Sequence, residues 1–360
     1  MADLISAQQL DELTYERQEI HRLSINLETL EQRCPLTQPS SVDGSNTASL
    51  QSLGQLDSLP LEIIQNVIQL LDLHTLILMQ SLNHRSKLLV NSLPAHRDIV
   101  AHAPNALRAI LSTGLASHFT IYDLYSALRS QECCMCGSFG AFLYLLSCRR
   151  CCWLCLAKAS DILPISREFA AHSFGLSSKA VQQLPCMRTL PGRYTLSHEK
   201  HKRRIALVST EAAKEAGMEI HKSEKAMEAY VTRPQVPERF ARYTYRNQKA
   251  GALNEILMRN LRSVRRGHRA GWQFHDEIGY EPHRFMAAMR FPTLDLPNGI
   301  IEWGLSCKGC LDGPPNTDED KDWEAMYTKR GYLAHFDQCK GSKDLLASMK
   351  TDGSKLSKTS

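Results

Sequence analysis

Seven of the chain's twelve cysteines fall within 23 residues, Cys133 to Cys155, and their spacing is that of a metal site. Cys133-Cys134-Met135-Cys136-Gly137 gives a Cys-x2-Cys-Gly knuckle, and Ser147-Cys148-Arg149-Arg150-Cys151-Cys152-Trp153-Leu154-Cys155 follows. Cys133 and Cys136 with Cys152 and Cys155 make Cys-x2-Cys-x15-Cys-x2-Cys, a spacing suited to tetrahedral zinc held by four thiolates. Two residues between ligands let one tight turn aim both sulfurs at a single point. The apolar stretch Phe139–Leu146 can form a hairpin that returns the second pair. Leu156-Ala157-Lys158-Ala159 continues as a helix, which puts Cys155 in its first turn, as in treble-clef sites. Cys148 and Cys151 are a rival second pair that spacing alone does not separate from Cys152 and Cys155. The plain alternative, buried free thiols, would be unusual packing at this density.

A second group is sparser: Cys307-x2-Cys310, then His335-x3-Cys339. His335 and Cys339 stand one turn apart on one face of a final helix, whose apolar side carries Leu333 and Phe336. A strand ending in a knuckle, followed by a helix carrying His and Cys, is a zinc-finger-like arrangement. The gap between the halves is centred on Asn316-Thr317-Asp318-Glu319-Asp320-Lys321-Asp322, which reads as an acidic surface loop. Its plain alternative is a packed cysteine pair beside a helix-surface histidine. Cys34 and Cys186 have no ligand-like neighbours and read as ordinary thiols. The expectation is two zinc ions, both structural, because four protein ligands leave no open position for water.

No constellation for catalysis competes. The sequence holds no P-loop, no nucleophile elbow and no His-Glu-x-x-His, and its fourteen histidines are scattered. A RING would need two interleaved sites with eight ligands, and no matching His or cysteine pair follows Cys155 closely. The expectation is a non-catalytic protein. Net charge is +5, too small to force a nucleic-acid reading. A basic stretch nevertheless runs through Arg239, Arg242, Arg246, Lys249, Arg259, Arg262, Arg265, Arg266 and Arg269, with Tyr243, Tyr245 and Trp272 interleaved. It would suit phosphates and stacked bases, an acidic or phosphorylated protein partner, or simply a solvated helix face. Lys200-His201-Lys202-Arg203-Arg204 could serve nuclear import. The first residues are not expected to form a signal peptide, and no apolar run nears the ~20 residues that span a bilayer. Cysteines grouped in Cys-x2-Cys pairs argue for reduced thiols. A soluble protein of the cytoplasm, the nucleus or both is expected.

The elements that must position these residues are mainly helical. With 43% hydrophobic residues in 360, the chain can bury a sizeable core and more than one folded unit. Leu13, Ile20 and Leu27, with Leu23 and Leu30, make a short heptad stripe, read as a lone amphipathic helix over residues 1–33 rather than a coiled coil. Residues 34–55 are a polar linker with nothing to build a core from. Helical patterns run from Asp98 to Leu128, over Ile162–Leu190 and over 198–231, and Leu190-Pro191-Gly192-Arg193-Tyr194 is a turn. A strand pair is expected within Arg284–Cys307, turning at Leu296-Pro297-Asn298-Gly299. The Lys/Ser-rich residues 341–360 read as a disordered tail.

One run presents a different problem. From Leu59 the chain reads LPLEIIQNVIQLLDLHTLILMQSLNHRSKLLV. Leu61, Ile64, Ile68 and Leu71 recur at helical spacing while Ile63, Val67 and Leu70 fill the neighbouring face. Pro60 suits a helix start, with Ser58 before it as a cap. Leu76–Met79 with Leu82, and then Leu88–Val90, mark two further short helices. Helices apolar nearly all round must be covered on more than one side, and this segment is too short to cover itself.

Leu59-Pro60, the Glu62-Ile63-Ile64 step, the Leu70-Leu71-Asp72-Leu73 turn and the Leu76…Met79…Ser81 helix resemble an F-box over residues 53–98. Ser81-Leu82-Asn83-His84-Arg85 departs from the Val-Cys-(Arg/Lys)-x-Trp-like stretch usual there. With Cys-x-x-Cys-Gly-x-Phe-Gly, Arg150-Cys151-Cys152-x-x-Cys155, the Leu190–Tyr194 turn and His335-Phe336-x-x-Cys339, the chain is similar to cysteine-bearing F-box proteins common in filamentous fungi. The resemblance implies a Skp-type adaptor bound through Leu59, Pro60, Ile64, Ile68, Leu76 and Met79, a link through it to a cullin, and a protein substrate held by the rest. The expected fold class is mainly α. A three-helix F-box-like segment (56–98) precedes an α-rich region (99–340) with small β-hairpins and two zinc-knuckle or treble-clef-like sites. A zinc-containing nucleic-acid-binding or transcription-linked protein is the alternative class.

Overall fold

A computed structural model of the chain describes residues 5–17, 22–34, 52–194, 200–231, 283–295, 298–311 and 324–356. Within them are sixteen helices and twelve short strands. The chain opens with α1 (Ala7–Leu13), β1 (Thr14–Tyr15) and α2 (Leu27–Arg33), then enters a succession of short helices. These are α3 (Leu61–Gln69), α4 (Leu73–Leu82), α5 (His84–Ser92), α6 (Pro94–His102), α7 (Pro104–Thr113) and α8 (Ile121–Arg129). Their punctuation is chemical. Asp72 caps α4 through the Thr75 amide at 2.9 Å, and Asn83 caps α5 through the Ser86 amide at 2.8 Å. Thr120 and Asp123 form a reciprocal capping box on α8. Proline opens both α6 and α7, where its missing N–H costs nothing. At α3, Pro60 is itself the capping position; Ser58 instead closes a 3-10 turn by donating to Gln55 O at 2.7 Å.

The helical layer rests on a three-stranded sheet. Strand β2 (Phe142–Tyr144) lies centrally, with β3 (Arg149–Cys151) on one side and the distant β9 (Ala288–Arg290) on the other, all antiparallel. Phe142, Leu143 and Tyr144 are all buried, so β2 is covered on both faces. One continuous apolar core runs from α2 through α3–α8, the sheet, and the helix α9 (Trp153–Lys158). Trp153 anchors that junction, stacked on Phe285 with ring centres 4.8 Å apart.

Among the described residues two smaller cores stand beside the main one. In the first, β4 (Pro164–Ser166), β5 (Cys186–Arg188) and β8 (Ala206–Ser209) form a sheet under α10 (Arg167–Ser173), α11 (Ser178–Gln183), α12 (Thr210–His221) and α13 (Glu224–Val231). A further strand, β6 (Gly192–Arg193), pairs with β7 (Lys200–His201), so Gly192 and Arg193 of the expected turn lie in a strand instead. The hairpin β10 (Thr293–Asp295)–β11 (Ile300–Glu302) falls where the sequence places a strand pair. In the last core, β12 (Ser306–Cys307), α14 (Lys308–Leu311), α15 (Lys329–Phe336) and α16 (Lys340–Leu356) gather around Cys307 and Tyr332.

Three expectations are corrected. Residues 1–33 do not form one amphipathic helix, because α1 stops at Leu13 and Thr14-Tyr15 leave to pair with Cys307 and Ser306. Residues 341–356 are not a disordered tail but belong to α16, whose Leu345, Leu346 and Met349 pack into the last core. Part of the 34–55 linker is ordered as well, since Gly54–Ser58 are a 3-10 turn; residues 35–51 of it lie outside the described residues. So do the basic stretch 239–269 and the acidic loop around 316–322. No helix among the described residues is long and apolar enough to cross a membrane.

Candidate metal centres

The first knuckle hangs from the end of α8. Cys133 N donates to Ser138 O at 2.6 Å and Gly137 N to Cys133 O at 3.0 Å, closing a tight loop around the first two sulfurs. Gly137 holds φ +75°, a left-handed conformation that a residue with a Cβ adopts at a cost, which is why glycine follows Cys136. The β2–β3 hairpin then reverses the chain in the register Phe142↔Cys151. Cys152 sits at the cap of α9, and its sulfur accepts from the Cys155 amide at 3.4 Å. Met135 N makes the matching bond to Cys133 Sγ at 3.5 Å. These N–H···S bonds fix the ligands' orientation from behind.

The four sulfurs of Cys133, Cys136, Cys152 and Cys155 lie within 4.8 Å of one another. Cys136 and Cys152 are 3.6 Å apart. A tetrahedron of thiolates around zinc, with bonds near 2.3 Å, has sulfur–sulfur edges of about 3.8 Å, so the arrangement fits. The donor set makes the same point. The neighbouring thiols donate to Cys133 and hold it far below the usual thiol range, while donation to Cys133 drives Cys155 far above it and Cys152 up to about 12. Four sulfurs this close cannot all ionise alone, and a divalent cation removes that conflict. Cys148 and Cys151 are not in the group. Cys151 lies in β3, one residue short of the cap, and Cys148 is buried in the hairpin turn at φ +50°.

Arg150 holds this centre to the core. It is buried and donates to Ala127 O at 2.9 Å and to Phe291 O at 3.3 Å, with further bonds to Gly140 O and Pro292 O. Burial lowers its pKa to about 9. One guanidinium thus joins the end of α8, the knuckle loop and the β9–β10 corner. The sequence motif Arg150-Cys151-Cys152-x-x-Cys155 contains this arginine, but nothing in the spacing tells its anchoring role.

The second centre comes from separate segments. Cys307 ends β12, Cys310 lies in α14, His335 near the end of α15 and Cys339 just before α16. Cys310 Sγ is 3.2 Å from His335 Nε2 and 3.6 Å from Cys339 Sγ, and Cys307 and Cys339 are 3.8 Å apart. Again all four ligand atoms lie within 4.8 Å, a set that could hold zinc. Hydrogen bonding from Cys310 holds Cys307 down to about 3, while Cys310 itself is pushed well up by Cys307. His335 is steadied by stacking on Tyr327, ring centres 4.5 Å apart.

The sequence pattern did not single out the residues that seat this centre. Ser342 is fully buried, 2.9 Å from Cys307 Sγ and 3.2 Å from Tyr332 Oη. Gly309 and Gly341 let α14 and α16 meet backbone to backbone; a Cβ on Gly309 would lie 2.1 Å from Ser342 N. Tyr332 Oη reaches Leu13 O at 3.4 Å, and Lys308 Nζ donates to Glu12 O at 2.7 Å at the end of α1. The readable signal was the small residues Gly309 and Gly341-Ser342 beside the ligands.

The apolar run at 56–82 behaves differently from the centres. Of the six residues the resemblance assigns to adaptor binding, Ile64 (3%), Ile68 (2%) and Leu76 (0%) are core residues with no surface to offer. This corrects the anchor set. Leu59 and Pro60 are exposed and Met79 half-buried. Instead, Leu56, Leu61, Ile63, Val67, Leu78, Leu82 (73% exposed) and Leu70 (81%) stand in solvent. A cavity of about 400 Å³, lined by Leu53, Leu56, Leu71, Leu78, Met79 and Leu82 among others, opens between the 3-10 turn and α4. No protein-family model, curated protein or solved structure matches the chain.

Proposed function

We propose that this chain is a substrate-receptor subunit of a cullin–RING ubiquitin ligase of the SCF type. Residues 56–98 act as an F-box that binds a Skp-type adaptor, and the region beyond presents a protein substrate. One observation carries the reading: Leu56, Leu59, Leu61, Ile63, Val67, Leu70, Leu78 and Leu82 are exposed within a single 27-residue stretch. Exposed large apolar residues concentrated in one segment mark an interaction site, and isolated exposed leucines do not. The cavity between the 3-10 turn and α4 gives such a partner somewhere to seat a side chain.

In this reading the two cysteine centres each hold one zinc ion and serve architecture. Four protein donors complete each coordination shell, so neither centre offers a position for substrate or water. The protein itself does no chemistry; it raises the local concentration of substrate beside a ubiquitin-loaded enzyme held by the complex.

Affinity purification of the full chain with mass spectrometry tests the proposal. The wild-type protein should recover a Skp-type adaptor and a cullin. Val67→Asp with Leu70→Asp, both on the exposed face, should abolish that recovery while leaving the melting temperature and zinc content unchanged. Interface anchors of this type contribute ~2 kcal/mol or more each. Recovery of adaptor and cullin by the double variant at wild-type levels would sink the F-box reading.

A further inference from the structure

Five cysteines lie outside the two metal centres, and two of these stand together. Cys134 Sγ and Cys151 Sγ are 3.6 Å apart. The approach is built into the backbone: Cys134 N donates to Arg150 O at 2.8 Å, which fixes the knuckle loop against β3. The two thiols have opposite settings. Cys134 is exposed, whereas Cys151 is fully buried in β3, in register with Phe142.

We propose that Cys134 and Cys151 are a reversible disulfide site that responds to peroxide. The exposed Cys134 thiol reacts first. Its sulfur attacks one peroxide oxygen, the O–O bond breaks, and Cys134 becomes a sulfenic acid with release of water. The Cys151 sulfur then attacks Cys134 Sγ, the S–O bond breaks, and a second water leaves with the thiol proton. Two thiols are oxidised and one peroxide is reduced to two waters. Closing the gap from 3.6 Å to the ~2.05 Å of a disulfide requires a shift of the exposed Cys134 side chain rather than of β3.

The position of the bond gives it a purpose. Cys134 adjoins the ligand Cys133, and Cys151 adjoins the ligand Cys152. A disulfide between them would fasten the two halves of the first centre without using any of its four ligands. Oxidation would then close the centre and keep its metal, where oxidation of the ligands would eject it. This consequence rests on the zinc reading of that centre.

The test uses the full chain as purified. Zinc is measured first, which examines the metal reading separately. The protein is then treated with hydrogen peroxide, its zinc is measured again, and it is unfolded in the presence of an alkylating agent and digested with trypsin. The expected result is two fewer free thiols than the twelve of the untreated chain, restored by dithiothreitol, with zinc content unchanged. The cross-link should join the peptides Ser130–Arg149 and Cys151–Lys158 through Cys134 and Cys151. Cys134→Ser should remove the thiol loss, and Cys151→Ser should leave a dimedone-reactive sulfenic acid at Cys134. A cross-link among Cys133, Cys136, Cys152 and Cys155 with zinc released would overturn the proposal. So would an unchanged thiol loss in Cys134→Ser.

Discussion

The two cysteine centres reach similar ligand geometry by opposite routes. At the first, a knuckle, a hairpin and a helix cap bring four sulfurs together from 23 consecutive residues, and the site then leans on the largest core among the described residues. At the second, the ligands come from two stretches that the chain must bring back together, and the segment around Leu13–Tyr15 closes the assembly from far away in sequence. The first centre therefore stiffens a core that already has many apolar contacts. The second stands in for a core, since among the described residues Leu13, Cys307, Tyr332 and Cys339 make up its buried apolar set. If both hold zinc, as proposed, its loss should spread differently.

The sharpest way to break this comparison is Cys152→Ser. Structural zinc contributes on the order of 10 kcal/mol to folding, against a whole-domain stability of ~5–15 kcal/mol. The variant should bind one zinc instead of two, and because Cys152 lies in the same core as α3–α8, its unfolding should reach the helical layer. Circular dichroism and limited proteolysis would show it. If Cys152→Ser melts like wild type, the first centre does not carry its core.

A smaller and more confined effect is expected from Cys310→Ser. One zinc should again be lost, but new protease cleavage should stay within residues 5–17 and 298–356, with the 52–194 region still resistant. Cleavage spreading into α3–α8 would show that the two centres stabilise one unit.

The smallest change sharpens the comparison at one side chain. Arg150→Met keeps the bulk but removes the donor to four carbonyls, leaving buried acceptors unpaired at a total cost of about 3 kcal/mol. The melting temperature should fall while both zinc ions stay bound. Loss of the first zinc alone would mean that Arg150 positions the ligands as well as the core.

How much of this was legible in the sequence follows the same division. The first centre is local, so Cys-x2-Cys spacing, the hairpin and the helix cap could all be read from consecutive residues. The choice of Cys152 and Cys155 over Cys148 and Cys151 could not, because it depends on where β3 ends. At 341–356 the Lys/Ser-rich composition hid a helix whose stability comes from Leu345, Leu346, Met349 and the buried Ser342 meeting α14. Thr14-Tyr15 left their helical pattern because Cys307 and Ser306, far onward in the chain, claimed them as strand partners, and no local window contains that fact. In α3 the limit is different. Apolar residues cover nearly the whole helix, so periodicity could not say that Ile64 and Ile68 face inward and Leu61 and Val67 outward.

The bond from Tyr332 Oη to Leu13 O joins residues 319 positions apart, and the Thr14↔Cys307 pairing sits beside it. Contacts this distant in sequence are slow to form, because a long loop must close before they return any stabilisation. During synthesis the ribosome must deliver residue 307 before Thr14 has a partner, while the 133–155 hairpin can close much earlier. The segment Ala7–Tyr15 must wait for β12 and α16 to emerge before Leu10 and Leu13 find their cover. Its capture by β12 and α16 would then be a late event in the life of each new chain, and pulse-labelled hydrogen exchange should find the Thr14 and Tyr15 amides among the last to become protected.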